Sequence, residues 1–228
     1  MEPTPKSEIP WDELGPLEQI KAIVDDQEFF LERPKETEKL RDHPSVRGDI
    51  AREDYVPYWT DLWPAARMLA KVIWRETWTP GTTALEIGCG LGLPGIVALA
   101  KGLKVIFTDY DACALHFAAL NAELNGFSDF RCLRLDWNHP PEDLQVPLIF
   151  AADLVYEERH VVPIVALIKK LLLRDGTCYL TDQDRLPANA VRNALDAENF
   201  HYTTQIIRAG EPPGRRLKGT LYRIKFQA

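Results

Sequence analysis

The chain has 228 residues, of which 46% are hydrophobic, and a formal net charge of −7 from 27 basic and 34 acidic residues. That length holds one α/β domain of ordinary size plus an extension, and the acidic balance argues against a nucleic-acid partner held chiefly through its phosphates. No apolar run reaches membrane-spanning length: Val161 to Leu173 is interrupted by Pro163, Lys169 and Lys170.

Met1 to Pro10 is polar and rich in proline, without the pattern of a signal peptide. Leu17, Ile20, Ile23 and Val24 recur at helical spacing, Phe29, Phe30 and Leu31 continue the apolar face, and Pro34 ends it. Lys35 to Asp42 is charged enough for a short solvated helix. Residues 1–50 are therefore expected to form a helical extension, either docked on one edge of the core or closing over the site. Residues 51–228 are expected to form the main domain.

Tyr55-Val56-Pro57-Tyr58-Trp59-Thr60-Asp61-Leu62-Trp63 places aromatics just before Pro64, a residue suited to the first turn of a helix. Ala65, Met68, Leu69, Val72 and Ile73 then give the stripe of an amphipathic helix. The aromatics are either core or the lining of an entrance, where their faces would pack on a cation. Next comes Ala84-Leu85-Glu86-Ile87-Gly88-Cys89-Gly90-Leu91-Gly92-Leu93-Pro94-Gly95, followed by apolar Ile96 to Ala100. This reads as strand, tight turn and helix. Glycines admit positive φ and a close ligand, and the free N–H groups of a helix start attract negative charge. Gly90, Gly92 and Gly95 fit a literal G-x-G-x-x-G, alone a weak signal for a dinucleotide. The acid at Glu86 favours a cationic ligand over a pyrophosphate.

Lys104 to Asp109 is a second buried strand ending in a carboxylate, with Tyr110 beside it. An acid about twenty residues past the first glycine is where a nucleotide-binding unit receives ribose hydroxyls. Asp111 to Asn125 reads as a helix stopped by Gly126. Arg131 to Leu135 is a third strand leading to Asp136-Trp137, an acid and an indole suited to an adenine amine and ring. Val146 to Ala152 is a nearly all-apolar fourth strand, as expected at the centre of a parallel sheet. It runs into Asp153-Leu154-Val155-Tyr156, where Asp153 is either a site carboxylate or the cap of the next helix, Val161 to Leu173. His160 reads as a surface residue of that helix's first turn. Asp175-Gly176 is a turn, Thr177 to Thr181 a fifth strand, and a helix begins near Pro187. Phe200 to Arg208 and Thr220 to Phe226 are the last strands, joined by a long loop, Gly210 to Lys218. The four cysteines (Cys89, Cys113, Cys132, Cys178) are scattered without metal-ligand spacing, as expected of reduced thiols in a cytoplasmic protein.

Strand and helix alternate five times before a final hairpin. The expected fold is a Rossmann-like, doubly wound α/β sheet of seven strands, mostly parallel with an antiparallel last strand and helices on both faces. Glu86, Asp109, Asp136 and Asp153 all follow or end strands, so they converge on one edge. Acids and aromatics there suit a sulfonium, ribose hydroxyls and an adenine amine.

Glu86-x-Gly88-x-Gly90-x-Gly92 resembles the first motif of the class I, seven-strand S-adenosylmethionine-dependent methyltransferases. Asp153-x-x-Tyr156, with the Trp63-Pro64 helix and Asp136-Trp137, resembles the protein-lysine methyltransferases of family 16. Glu157-Glu158-Arg159-His160 and Asp182-Gln183-Asp184-Arg185 are similar to its bacterial branch, which includes relatives of the electron-transfer-flavoprotein β-subunit lysine methyltransferase and predicted nicotinamide N-methylases. The later motif often reads Asp-Pro-Gly-Arg there, and Gln183 and Asp184 depart from it. The resemblance spans Tyr55 to Phe226. It implies an N-methyltransferase acting on a protein lysine, with S-adenosylmethionine held by Trp63, Glu86, Gly88, Cys89, Gly90, Gly92, Asp109, Tyr110, Asp136, Trp137 and Asp153, and with Asp153 and Tyr156 at the reaction. A small-amine acceptor and a non-catalytic scaffold are the alternatives. Neither metal, membrane nor nucleic-acid partner is expected, and a monomer is favoured.

Overall fold

A computed structural model describes residues 13–41, 57–184, 188–211 and 214–227. Met1 to Pro10, Tyr55, the boundary between residues 50 and 51, Arg185, Pro187 and the tip of the last hairpin lie outside them.

Strands β3 (Thr83–Ile87), β4 (Lys104–Asp109), β5 (Phe130–Arg134), β6 (Val146–Ala152), β7 (Leu172–Asp182), β8 (Phe200–Glu211) and β9 (Arg215–Phe226) form one sheet in the order β5-β4-β3-β6-β7-β9-β8. β3, β4, β5, β6 and β7 pair in parallel, while β9 is antiparallel to both β7 and β8. This is the expected seven-strand architecture. Side chains of β3 alternate between two cores. Ala84 joins the apolar cluster formed with helices α2 (Pro64–Arg75), α3 (Leu93–Ala100) and α4 (Ala112–Leu124). Leu85 and Ile87 join the cluster formed with α5 (Glu158–Leu171) and α6 (Ala188–Ala197) on the other face. The chain leaves β3 in one direction through β4 and β5, then returns to β6 on the opposite side of β3. That reversal opens a crevice beyond the carboxyl ends of these strands.

The expected helix in the extension is not there. Leu17–Val24 and Gln27–Pro34 are antiparallel strands, β1 and β2, of a separate two-stranded sheet, followed by a short helix α1 (Thr37–Arg41). Apolar residues at positions 17, 20 and 24 fit a helical period, but the loop Asp25-Asp26 decides the outcome. Asp25 has φ 54, which aspartate tolerates better than most residues and which suits a two-residue hairpin. Alternation then buries Ala22, Val24, Phe29 and Leu31 and leaves Lys21, Ile23 and Glu28 outside. The hairpin packs against α2 and α4, so it docks on the helical layer.

Two further boundaries differ from the expectation. β7 begins at Leu172 and carries Asp175-Gly176 inside it, with a register shift against β6 between Val146 and Leu148. β8 and β9 continue pairing to Glu211 and Arg215, so most of the expected long loop is strand.

Leu31 is fully buried between the hairpin and the helices. Leu31→Ala is expected to lower stability by about 2–5 kcal/mol in urea unfolding followed by circular dichroism. The single transition should be kept, because hairpin and domain share one core; a separate early transition would show instead that the hairpin docks independently.

Candidate active site

The crevice contains a cavity of about 680 Å³. Its walls come from the ends of β3, β4 and β6, the turn before α3, the segment Tyr58–Trp63 before α2, and the loops after β5 and β6. All twelve residues expected to act at the site line it: Trp63, Glu86, Gly88, Cys89, Gly90, Gly92, Asp109, Tyr110, Asp136, Trp137, Asp153 and Tyr156.

The glycine turn is built around Glu86. This carboxylate is 2% exposed, and its Oε2 accepts the N–H of Gly95 at 2.9 Å. A Cβ on Gly95 would lie 2.5 Å from that oxygen and 2.3 Å from Cε1 of Phe107, so only glycine lets α3 sit so close to β3. Gly92 caps α3 with φ 81, a left-handed conformation that glycine adopts without strain. Burial raises the Glu86 carboxyl well above the ordinary range; the Gly95 N–H opposes this and the neighbouring Asp109 adds to it.

Asp109 ends β4. Its Oδ2 accepts the Gly90 N–H and its Oδ1 the Asp111 N–H, both at 3.0 Å. Burial raises its pKa to about 6, with both N–H groups opposing. Asp136 follows β5. Its Oδ1 accepts the Asn138 N–H at 2.9 Å, and its Oδ2 lies 3.0 Å from Nδ1 of His139. Burial acts upward on its pKa, but His139 and Asn138 hold it below the ordinary value. That His139 partnership carried no sequence signal beyond an i,i+3 spacing.

Asp153 is 6% exposed and has φ 61, a strained conformation at the end of β6. Its N–H donates to the Thr181 carbonyl at 2.9 Å, and its Oδ2 accepts from Nε2 of Gln183 at 2.6 Å. The cap position of α5 belongs to Glu157, not Asp153. Edge-to-face ring contacts run from Trp63 to Tyr58 (5.9 Å), Tyr58 to Tyr156 (5.2 Å), Tyr156 to His160 (4.9 Å) and His160 to Trp137 (5.7 Å). His160 is thus part of the cavity wall, where the sequence suggested an outer surface, because the first turn of α5 faces the crevice. Asp61, from the aromatic stretch before α2, and Arg159, from the Glu157-Glu158-Arg159-His160 motif, also line the cavity, though neither was expected to act there.

The lining holds seven carboxylates (Asp61, Glu86, Asp109, Asp111, Asp136, Asp153, Glu157) against one arginine, Arg159, which Glu157 pairs at 2.7 Å. Such a wall repels a pyrophosphate and attracts a cation. Among the described residues no group of His, Cys, Asp and Glu is placed to hold a metal ion, and no helix is long and apolar enough to cross a membrane.

The sequence profile of a family described as lysine methyltransferase matches residues 55–200. The chain belongs to that family. Residues 55–200 thus form a domain of an S-adenosylmethionine-dependent methyltransferase family. The chain is 30% identical over 129 residues to the histone-arginine methyltransferase METTL23 of Mus musculus, covering 53% of this chain and 51% of that one. It is 29% identical over 198 residues to the protein-lysine N-methyltransferase rrg1 of Schizosaccharomyces pombe, covering 77% and 63%. The chain thus spans about half to two thirds of the length of these curated relatives. Its fold is similar to that of a ribosomal protein L11 methylase from Lactobacillus delbrueckii subsp. bulgaricus, with a TM-score of 0.59 and 22% identity over 72% of this chain and 79% of that one.

The lining fits S-adenosylmethionine: carboxylates for a sulfonium and an ammonium, an acid at a strand end for ribose, and an indole for adenine. The raised Asp109 sets a pH dependence. Folded Asp109 holds its proton up to about pH 6, above the ordinary carboxylate range, so its ionisation removes stability as pH rises through that window. A bound cation favours the ionised form. Cofactor affinity is therefore expected to weaken as pH falls through about 6, with proton release on binding measurable by calorimetry in buffers of different ionisation enthalpy. Affinity unchanged between pH 5 and 8 would contradict this.

Proposed function

We propose that this methyltransferase transfers a methyl group to a lysine side chain of a protein. The observation that carries the proposal is a nearly buried carboxylate, Asp153, beside Tyr156 on the wall of the cofactor cavity. When bound, S-adenosylmethionine supplies an electrophilic methyl group on a positively charged sulfur. The residues proposed to hold it are Glu86 and the glycine turn, Asp109 with Tyr110 at the ribose, Asp136 with Trp137 at the base, and Trp63 at the opening.

Asp153 would draw the acceptor ammonium to the cavity and align it. Its charge also raises the pKa of that ammonium, so it positions the amine, and the proton leaves to water once the amine is aligned. Tyr156 stays a neutral phenol at physiological pH, since burial pushes its pKa up to about 12. It therefore acts as a wall or hydrogen-bond donor and not as the base.

Two features support a protein acceptor over a free small amine. Trp59 stacks its ring on Phe117 at 5.4 Å, so Tyr58, Trp59 and Tyr156 do not close a three-ring box around a small molecule. The β8–β9 arm rises five residues past the pair Ile206–Thr220, which is level with Asp182, or roughly 16 Å beyond the catalytic edge. It carries Arg208, opposite Lys218, and Arg216 two residues on, all exposed and without an ion pair among the described residues. These cations suit an acidic protein surface.

The test is incubation with tritiated cofactor and a cell extract, then acid hydrolysis and amino-acid analysis of the label. Methyl-lysine is the expected product; methyl-arginine or a labelled small molecule would overturn the acceptor assignment. Asp153→Ala should reduce incorporation by at least about a hundredfold while cofactor affinity stays within a few-fold of wild type. Incorporation that survives this change would remove Asp153 from the mechanism.

A further inference from the structure

The family profile begins at residue 55 and leaves out the hairpin of β1 and β2, yet hydrogen bonds link that hairpin to the wall of the cofactor cavity at two points, through Asn121 to Leu91 and through Arg33 to Asp61. We propose that the hairpin is part of the cofactor-binding apparatus, with Asn121 as the positioning residue that couples it to the glycine turn. The proposal rests on the cofactor assignment above.

Asn121 is completely buried in α4. Its Oδ1 accepts the N–H of Glu32 at 2.6 Å. Its Nδ2 donates to the carbonyl of Glu32 at 3.2 Å and to the carbonyl of Leu91 at 3.1 Å. Leu91 lies between Gly90 and Gly92 and lines the cavity. One amide therefore binds both backbone groups of a hairpin residue and a carbonyl of the cofactor turn.

Asn125, one helical turn later, is the internal control. Its Oδ1 accepts the Phe30 N–H at 3.0 Å, and its Nδ2 donates to the carbonyls of Phe30 and Asn121, both at 2.7 Å. Asn121 and Asn125 together serve alternate residues of β2 as a neighbouring strand would. Of the two, Asn121 alone has a bond to the turn. The second link is Arg33 of β2, whose Nη1 lies 2.8 Å from Oδ1 of Asp61 on the cavity wall. Its Nε donates to Glu18 of β1 at 2.9 Å.

Docking of the hairpin and placement of the turn thus share hydrogen bonds buried from water. A ligand that needs the turn in place must stabilise the docked hairpin, and the coupling is reciprocal. Hydrogen exchange of the wild-type chain with and without S-adenosylmethionine tests this without a substitution: exchange in peptides covering Phe30 and Glu32 should slow on binding. Asn121→Ala and Asn125→Ala should lower the melting temperature similarly, since each unpairs one residue of β2. Calorimetry should then separate them, with about a tenfold loss of cofactor affinity for Asn121→Ala, as expected for one buried hydrogen bond, and under twofold for Asn125→Ala. Arg33→Ala, at a partly exposed position, should also weaken binding and supplies the comparison if Asn121→Ala does not fold. Exchange insensitive to the cofactor, or equal affinities for all three variants and wild type, would overturn the coupling. Failure of the wild-type chain to bind the cofactor at all would instead overturn the cofactor assignment.

Discussion

A carboxylate sealed beneath a helix start underlies the architecture of the site. Glu86 would be expensive to bury alone. The Gly95 N–H offsets part of that by hydrogen bonding to it, and in return it satisfies one of the donors that every helix leaves open at its start. The bond fixes how β3 passes into α3, and the intervening turn is set with it. The turn's Gly90 N–H then finds Asp109 at the end of the adjacent strand. Two buried acids are thus held side by side by backbone donors, both raised in pKa because water is excluded, Glu86 further by the neighbouring Asp109 and Asp109 further by Asp111. Such a pair has unsatisfied affinity for positive charge, and we propose that this affinity draws a sulfonium cofactor to the cavity.

Around this centre the sheet supplies convergence and the loops supply shape. Reversal of strand order beside β3 brings the ends of β4, β5 and β6 to one crevice, so residues nearly seventy positions apart line the same cavity. The left-handed backbone at Asp153 turns the chain sharply off β6 and leaves its carboxylate between the cavity and Gln183. The run of rings from Trp63 to Trp137 joins walls that come from three separate segments. Edge-to-face contacts of this kind contribute packing energy and stiffness beyond simple burial, which keeps an open crevice from collapsing.

Most of the site was legible in the sequence because strand ends can be read from apolar runs, and strand ends of a wound sheet meet. Glu86, Asp109, Asp136 and Asp153 needed only that rule, and all four line one cavity. What escaped was whatever depends on partners distant in sequence. Positions 17, 20 and 24 fit a helix, whereas the hairpin leaves Leu17 and Ile23 exposed, and the positive φ of Asp25 with a docking surface on α4 decides for the hairpin. Asn121 and Asn125 looked like ordinary polar positions of a helix until β2 was placed against them. His160 looked solvent-facing because the burial of a first-turn residue depends on the loop opposite. Gly210 to Lys218 reads as loop in sequence because Gly210, Gly214 and two prolines mask strands that stay paired as far as Glu211 and Arg215.

We propose that the acid-lined crevice selects a cationic methyl donor over the phosphate-bearing dinucleotides that share its glycine pattern. Calorimetric titration of the purified chain at pH 8 with S-adenosylmethionine and, separately, with NAD tests it most directly. Saturable one-site binding of S-adenosylmethionine is expected, with no measurable heat from NAD at the same concentrations. Binding of NAD with no binding of S-adenosylmethionine would contradict it.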